Sequence, residues 1–307
     1  MQLSGLIEMT IGTTGSEDAW QRIAFVSVES GTSAAPIHMT YQALTETIDI
    51  DMGERDLDVI NLLNLGQIPK HGPVGICTVT LEGYPLQAGT SDQSTVSGTS
   101  KTSGLAKGYF EAFANAGHAD TSQPLDLDMS NTLTRYRLSV LWTNQARLSE
   151  TASTSSDSGA GSITVDGSPL TADSYNGSMI QMTMIGGVAG TAYYHVSDTS
   201  TSAFTLTVAD KPATDGVADN DAFYVYPTGS SALLPGSKGM RFVLADCFCT
   251  SCKTSMTDGI VKQTLVFKGK LFNASGSPLS KMESHDGTGA TVVPWLGYYT
   301  AGSTYWA

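Results

Sequence analysis

Apolar and polar residues alternate with a period of two along much of this 307-residue chain. Because successive side chains of a β-strand point to opposite faces of its sheet, this alternation predicts strands with one buried face. The pattern places such strands over residues 22–30, 38–51, 74–85 and 132–142. Gly, Ser and Thr are plentiful between them, which is typical of short strands joined by turns. The sequence therefore predicts a mainly β protein.

Two of the predicted strands collect their polar residues on one face. Ile48 and Ile50 alternate with polar side chains in the first, and Cys77, Val79 and Leu81 do so in the second. We expect the apolar faces to pack on a core and the polar faces to meet water. The polar positions are Thr47, Asp49, Asp51, Thr78, Thr80 and Glu82.

Two other segments have a helical pattern. Residues 53–66 carry acidic residues in the first turn, place Leu57 and Ile60 on one stripe and end on Gly66, which together predict a short helix. Residues 104–117 carry Ala, Tyr and Phe residues at helical spacing, and we predict a second helix there.

Residues 149–232 differ from the rest of the chain in composition. They carry nine acidic residues against the single base Lys211, a local charge of −8 within a total of −13. Ser-, Thr- and Gly-rich segments at residues 151–162 and 227–237 are typical of linkers, and short alternating apolar segments lie between them. We interpret residues 149–232 as a small all-β module inserted into a β domain built from residues 1–148 and 233–307.

Residues 238–272 predict one long β-hairpin, with Asp258 and Gly259 at its turn. The first strand of this hairpin contains three of the four cysteines of the chain. In an unbroken strand Cys247 and Cys249 share one face and Cys252 points to the other.

Two interpretations of these cysteines are open. A zinc site needs its thiolates to converge on one centre, which an unbroken strand prevents and a bulge near Thr250 would permit. The preferred interpretation is buried, reduced cysteines in a sheet, which suggests assembly in a reducing cytoplasm.

Charge and motifs narrow the function classes. The acidic balance argues against binding to nucleic-acid phosphates. No apolar run is long enough to cross a bilayer, and the first residues lack the basic segment of a secretory signal. Residues 215–221 only loosely match a calcium loop, so an acidic turn is preferred. No nucleophile elbow, phosphate loop or dinucleotide fingerprint is present, so we predict no enzyme, no cofactor and no metal.

The order of these elements resembles the tail tube (major tail) proteins of tailed bacterial and archaeal viruses. The resemblance covers residues 35–148 and 233–276. Its most telling part is the hairpin, with "ADC" at residues 245–247, "TDG" at residues 257–259 and the returning "TLVFKGKLF" at residues 264–272.

The resemblance implies a β-sandwich or barrel core with one or two short helices. It also implies hexameric rings that stack into a hollow tube, through which viral DNA passes into the host without specific binding. The expected partners are further copies of the chain, a tape-measure protein and tail-terminator or baseplate proteins. The expected location is the virion tail, assembled in the host cytoplasm.

Under this hypothesis the polar positions of the two strands, Thr47, Asp49, Asp51, Thr78, Thr80 and Glu82, face the lumen. Basic residues are expected at subunit contacts or on the exterior, namely Arg135, Arg137, Lys262, Lys268 and Lys270. Aromatic residues near the C-terminus are expected to anchor contacts between subunits, since aromatic rings often do so; these are Trp295, Tyr298, Tyr299, Tyr305 and Trp306. The alternative functions are a capsid decoration protein and a cell-surface or adhesive β protein.

Overall fold

The computed structural model describes residues 24–32, 35–41, 45–53, 55–62, 66–83, 135–167, 169–190, 192–206, 210–229, 231–272, 276 and 278–285. In these residues the secondary structure consists of strands and turns, so the prediction of a mainly β protein is confirmed. A search of the same residues finds no helix long and apolar enough to span a membrane.

The larger of two main β units is an eight-stranded antiparallel sheet that curls into a half-barrel. Its strands are β1 (Ala24–Thr32), β2 (Ala35–Tyr41), β3 (Thr45–Asp51), β6 (Ile76–Gly83), β7 (Arg135–Thr143), β16 (Gly239–Thr257), β17 (Ile260–Lys270) and β18 (Ser280–His285). They are ordered β2-β1-β7-β16-β17-β6-β3, with β18 paired to β16. The 19-residue β16 pairs with β7 and β18 along its first half and with β17 along its second.

The second unit is a closed six-stranded barrel, ordered β10-β13-β14-β9-β8-β15. Its strands are β8 (Leu148–Ser156), β9 (Ser162–Val165), β10 (Met179–Met182), β13 (Tyr193–Thr199), β14 (Ala203–Leu206) and β15 (Ala222–Tyr226). Alternate residues such as Ile163, Tyr194 and Phe223 fill its interior. The barrel strands all lie within residues 148–226, while the division of the chain into two domains stays a prediction.

Two short hairpins complete the described structure. One joins β4 (Arg55–Leu62) to β5 (Gly66–Val74), and the other joins β11 (Met184–Ile185) to β12 (Val188–Ala189).

The helix predicted at residues 53–66 is wrong, because β4 occupies that segment and pairs with β5 along its length. Leu57 and Val59 alternate with acidic residues, which fits a strand, whereas Leu57 and Ile60 fit a helical stripe. Strand pairing decides between the two patterns. The second predicted helix, at residues 104–117, lies outside the described residues.

Two further predictions need correction. The single strand predicted over residues 38–51 is two strands, β2 and β3, which lie at opposite ends of the sheet order. The linker predicted at residues 151–162 is largely barrel strand β8, whose backbone pairs with β9 and β15. Ser and Thr suit a strand whose outer face is wet, so composition alone does not separate such a strand from a linker.

The segment predicted as the closing linker, residues 227–237, also packs against the rest of the protein at residues 227–229 and 231–237. Ser231 and Thr228 share a buried hydroxyl network with Ser178. A Cβ added at Gly229 would fall against the backbone of β1 and β7, so only glycine permits this close approach.

The long hairpin predicted at residues 238–272 is confirmed as β16 and β17. Its turn residues Asp258 and Gly259 both have positive φ, 53° and 78°, as the tight hairpin turn between right-twisted strands requires. Phe267 is fully buried in the sheet core and packs edge-on against Tyr136, with ring centroids 6.2 Å apart.

Candidate functional site

The six polar residues predicted to line a channel lie together on one face of the larger sheet. β3 and β6 are antiparallel neighbours, and their register places Thr47 opposite Glu82, Asp49 opposite Thr80 and Asp51 opposite Thr78. The three residues on β3 are exposed and the three on β6 are half-buried. The structure thus brings these residues together, while the direction they face in an assembly stays a prediction.

The other face of these two strands is apolar. Cys77, Val79 and Leu81 are fully buried in the sheet core, and Ile48 and Ile50 pack against it. The strict alternation therefore has the physical basis that the sequence suggested, since one face is in the core and the other meets solvent.

The polar surface continues beyond β6 onto β17 and β16. Thr264, Val266 and Lys268 lie opposite the three polar residues of β6. On β16, Ser251 and Lys253 lie opposite Val266 and Thr264. We call this four-stranded surface the polar face; its residues are Thr47, Asp49, Asp51, Thr78, Thr80, Glu82, Ser251, Lys253, Lys262, Thr264, Val266 and Lys268.

Charge is distributed unevenly across the polar face. Its edge at β3 carries Asp49 and Asp51, while Lys253 and Lys268 are exposed on β16 and β17. Between these two regions, Lys262 on β17 forms an ion pair with Glu82 on β6, with 3.6 Å between Nζ and Oε1. This pair is about one-third exposed, so we expect it to contribute only about 0.2–1 kcal/mol.

Sequence reasoning missed the lysines of the polar face. Lys262 and Lys268 were predicted at subunit contacts or on the exterior, away from the acidic residues, whereas they share their face. The period of two along β17 shows that its lysines share one face of that strand. That β17 lies beside β6, and so brings these lysines to the acidic residues, is decided by strand pairing in the tertiary structure.

Of the two basic residues of β7, Arg135 is exposed at the surface and Arg137 is buried. Arg135 forms a two-pronged ion pair with Asp246, in which its Nε donates to Oδ1 at 2.8 Å. This hydrogen bond, and secondarily the carboxylate charge, raises the pKa of Arg135 despite burial. Arg137 is 1% exposed, so the expectation that it lies on the exterior is wrong.

Two bulges in β16 change where the cysteines lie. The register shifts between Leu244 and Cys247 against β7, and again between Cys249 and Ser251 against β17. Each extra residue reverses the alternation. The first bulge brings Cys247 and Cys249 to the core face of Leu244, and the second brings Cys252 to that face as well. The prediction that Cys252 points away from Cys247 and Cys249 is therefore wrong.

Three of the four cysteines are buried thiols, and Cys252 is half-buried. Burial, and secondarily the charge of Asp51, raises the pKa of Cys77 to about 11, and burial raises that of Cys249 to about 12. All four cysteines are free. No group of three potential metal ligands was found in the part of the chain that the structure describes.

The acidic turn at residues 215–221 has an internal use. Asp221 is fully buried, and its carboxylate accepts backbone N–H bonds from Gly186, Gly187 and Ala218 at 2.7–2.8 Å. Burial by itself would raise the pKa of Asp221, but the three donors lower it overall. The carboxylate therefore holds the β11–β12 hairpin against the barrel through these backbone hydrogen bonds.

The predicted contact residues lie outside the described residues; they are Trp295, Tyr298, Tyr299, Tyr305 and Trp306.

Comparison with known proteins does not assign the chain to a family. No protein-family model matches the chain, and no curated protein matches its sequence.

Proposed function

We propose that this chain is the subunit of a hollow structural tube, a viral tail tube, with its polar face toward the bore and no enzymatic role. The observation that supports this proposal is the part of the larger sheet formed by β17, β6, β3 and the second half of β16, which has one mostly polar face and one core face. A tube wall needs such a sheet, because one side must be wet and the other must hold the subunit together.

The strand directions favour closure of a ring. Neighbours along β16-β17-β6-β3 are all antiparallel, so β3 and β16 run in opposite directions. Beyond Phe248, β16 pairs only with β17 within the described residues. Rotation about a ring axis preserves strand direction, so the β3 of one copy would meet this second half of the next copy's β16 as an antiparallel neighbour. Head-to-tail contacts of this kind close by rotation and remove free sheet edges.

The dimensions suit the passage of a duplex. Six copies of a four-stranded sheet would place about 24 strands around the bore, and at about 4.8 Å per strand the wall would measure about 115 Å around. Strand tilt enlarges this ring further, by a factor of about 1.2–1.4. The resulting bore is wider than a DNA duplex once side chains are included.

The charges of the polar face suit transit without capture. Binding to nucleic acid grows with the number of phosphates that cations neutralise. On the polar face the carboxylates of Asp49, Asp51 and Glu82 offset the ammonium groups of Lys253, Lys262 and Lys268, so the summed charge of these groups is near zero. DNA would pass a wall of hydroxyls and balanced charges without binding to it.

The expected partners and location follow from the same proposal. The tube would contact further copies of itself, a tape-measure protein and tail-terminator or baseplate proteins. It would assemble in the host cytoplasm and reside in the virion tail.

Negative-stain electron microscopy of the purified full chain tests this proposal. We expect rings or tubes with a central channel. Monomers or trimers without a channel would contradict the proposal and favour a capsid decoration or adhesive β protein.

A charge-reversal pair tests which face lines the bore. In Asp49→Lys/Asp51→Lys, each subunit loses two negative charges and gains two positive charges on the polar face, a net change of +4. We expect assembled tubes that retain duplex DNA at low salt and release it at high salt, and virions that eject DNA slowly. The matched control is Asp198→Lys/Asp219→Lys, which makes the same charge change at exposed positions of the barrel. If both variants retain DNA inside the tube equally, the polar face does not line the bore.

A further inference from the structure

An aromatic surface lies on the outside of the barrel, on three neighbouring strands. Tyr193 on β13, Gln181 on β10 and Tyr224 on β15 form one row across the strands, and Tyr226 lies two residues along β15. We call these residues, together with Arg147, the tyrosine patch. Their alternate neighbours, such as Ile180 and Val225, point into the barrel core, which fixes the patch on the outer face.

The side chains of the tyrosine patch hold one another in place. The Arg147 guanidinium lies 3.8 Å from the centre of the Tyr224 ring, and its Nη1 donates to the Tyr226 hydroxyl at 2.7 Å. The two tyrosine rings stand nearly perpendicular, with centroids 6.1 Å apart. Gln181 Nε2 donates to the Tyr193 hydroxyl at 3.2 Å. A patch ordered in this way loses little side-chain entropy when it binds a ligand.

The patch remains accessible and keeps hydrogen-bonding capacity. Arg147 is exposed, and the tyrosines and Gln181 are partly exposed. A guanidinium has five N–H donors, and within the described residues one of them is used, in the bond to Tyr226. Ser149, which lies opposite Tyr224, adds an exposed hydroxyl at the margin.

The size of the patch limits the ligand. Three strands at about 4.8 Å spacing and two residues along a strand give a surface of about 10 Å by 7 Å. This matches a mono- or disaccharide and is far smaller than the face of a typical protein interface, about 800 Å² per partner.

The chemistry of the patch favours a sugar over other ligands of that size. A pyranose presents C–H groups that pack on aromatic rings and hydroxyls that bond to amide and guanidinium groups at the same time. The surrounding residues 149–232 carry a charge of −8, which repels nucleic acids and other polyanions. Tyr and Arg also anchor protein interfaces, but those anchors fill pockets within an apolar centre, whereas this patch lies on the outer face of the barrel and is bordered by an exposed hydroxyl.

We propose that the tyrosine patch is a carbohydrate-binding site that takes a neutral pyranose at the outer face of the barrel. This proposal does not depend on the tube, since the site is formed within one copy of the barrel. In an assembled particle it would give many weak sites, and linked sites bind a surface far more tightly than one site alone.

A glycan array probed with the purified full chain tests the proposal, followed by NMR titration of the strongest neutral glycan found. We expect Tyr226→Ala and Arg147→Gln each to weaken binding at least about tenfold, the effect of losing one ring or one charged donor. Tyr226→Phe keeps the ring and loses only the hydroxyl, so it should retain more binding than Tyr226→Ala. The matched control is Val188→Ser, which removes a 65% exposed apolar side chain from β12 of the same region and should leave binding unchanged.

Three outcomes would overturn the proposal. The first is an array without a neutral glycan hit that the titration reproduces. The second is binding that Val188→Ser weakens as much as Tyr226→Ala does. The third is a patch variant that changes the oligomeric state and not glycan binding, which would assign the patch to contacts between copies. A circular dichroism spectrum that matches the unmodified protein separates loss of binding from loss of fold.

Discussion

Replacing Asp221 with alanine should loosen the barrel by releasing the β11–β12 hairpin. The carboxylate of Asp221 is the shared acceptor for the backbone N–H groups of Gly186, Gly187 and Ala218. Alanine removes all three bonds at once and leaves the donors facing an empty space where a buried charge had been.

The expected magnitude follows from the count and surroundings of these bonds. An unsatisfied buried donor costs about 1–3 kcal/mol. The hairpin is solvent-exposed at Val188, so water can reach part of the released backbone and the lower end of that range applies to each donor. We therefore expect Asp221→Ala to lower the free energy of unfolding of the barrel by about 3 kcal/mol, the sum of the three donors.

Urea unfolding of the full chain measures this loss, and amide hydrogen exchange locates it. In the variant, the amide exchange rates of Gly186 and Gly187 should rise more than those of the barrel strands. The control is Asp219→Ala, which removes an exposed carboxylate two residues away and should change stability by less than about 0.5 kcal/mol. A loss under about 1 kcal/mol with unchanged exchange at both glycines would refute the reasoning.

The pH dependence gives an independent check with a fixed sign. The folded pKa of Asp221 lies below its ordinary value of 3.8. A depressed folded pKa means that the stabilisation is complete above the unfolded pKa, about 3.9, and is lost as pH falls through the folded value. The stability difference between the unmodified protein and Asp221→Asn should thus be constant from about pH 5 to pH 8 and shrink below about pH 4.

Four other measurements test the packing and electrostatics described above. Phe267→Ala should cost about 3–5 kcal/mol in urea unfolding, because it empties a fully buried ring position in the sheet core. Gly259→Val should destabilise the β16–β17 hairpin by about 1–2 kcal/mol, because a β-branched residue is strained at a φ of 78°; Gly259→Asn should be better tolerated. Lys262→Ala should change stability by less than about 1 kcal/mol, and less still in high salt. Cys249 should resist iodoacetamide at pH 8 in the folded protein and react rapidly in denaturant, since burial raises its pKa to about 12; equal rates in both states would contradict the assigned burial.

The segments whose two faces meet different surroundings were predictable from the sequence. In β6 the apolar residues at every second position, such as Val79 and Leu81, are those found in the core. The turn at Asp258 and Gly259 was also predictable, because few residues adopt two successive positive φ angles.

Strand pairing was not predictable from these patterns. β4 matched a helical stripe, and its backbone hydrogen bonds to β5 decided its conformation. The Ser- and Thr-rich β8 resembled a linker, and two barrel neighbours made it a strand. In both cases the deciding interactions are hydrogen bonds between strands, which the pattern within one short segment of sequence does not show.

The candidate site shows the same division. Alternation along the chain determined that Asp49, Asp51 and Glu82 share the polar side of their strands. The tertiary structure decided that β17 lies beside β6 and brings Lys262 and Lys268 to that surface. It also decided, through two bulges in β16, that Cys247, Cys249 and Cys252 share one core. A period of two fixes the side on which a residue stands relative to its chain neighbours, whereas register and bulges are set by packing across strands that are distant in sequence.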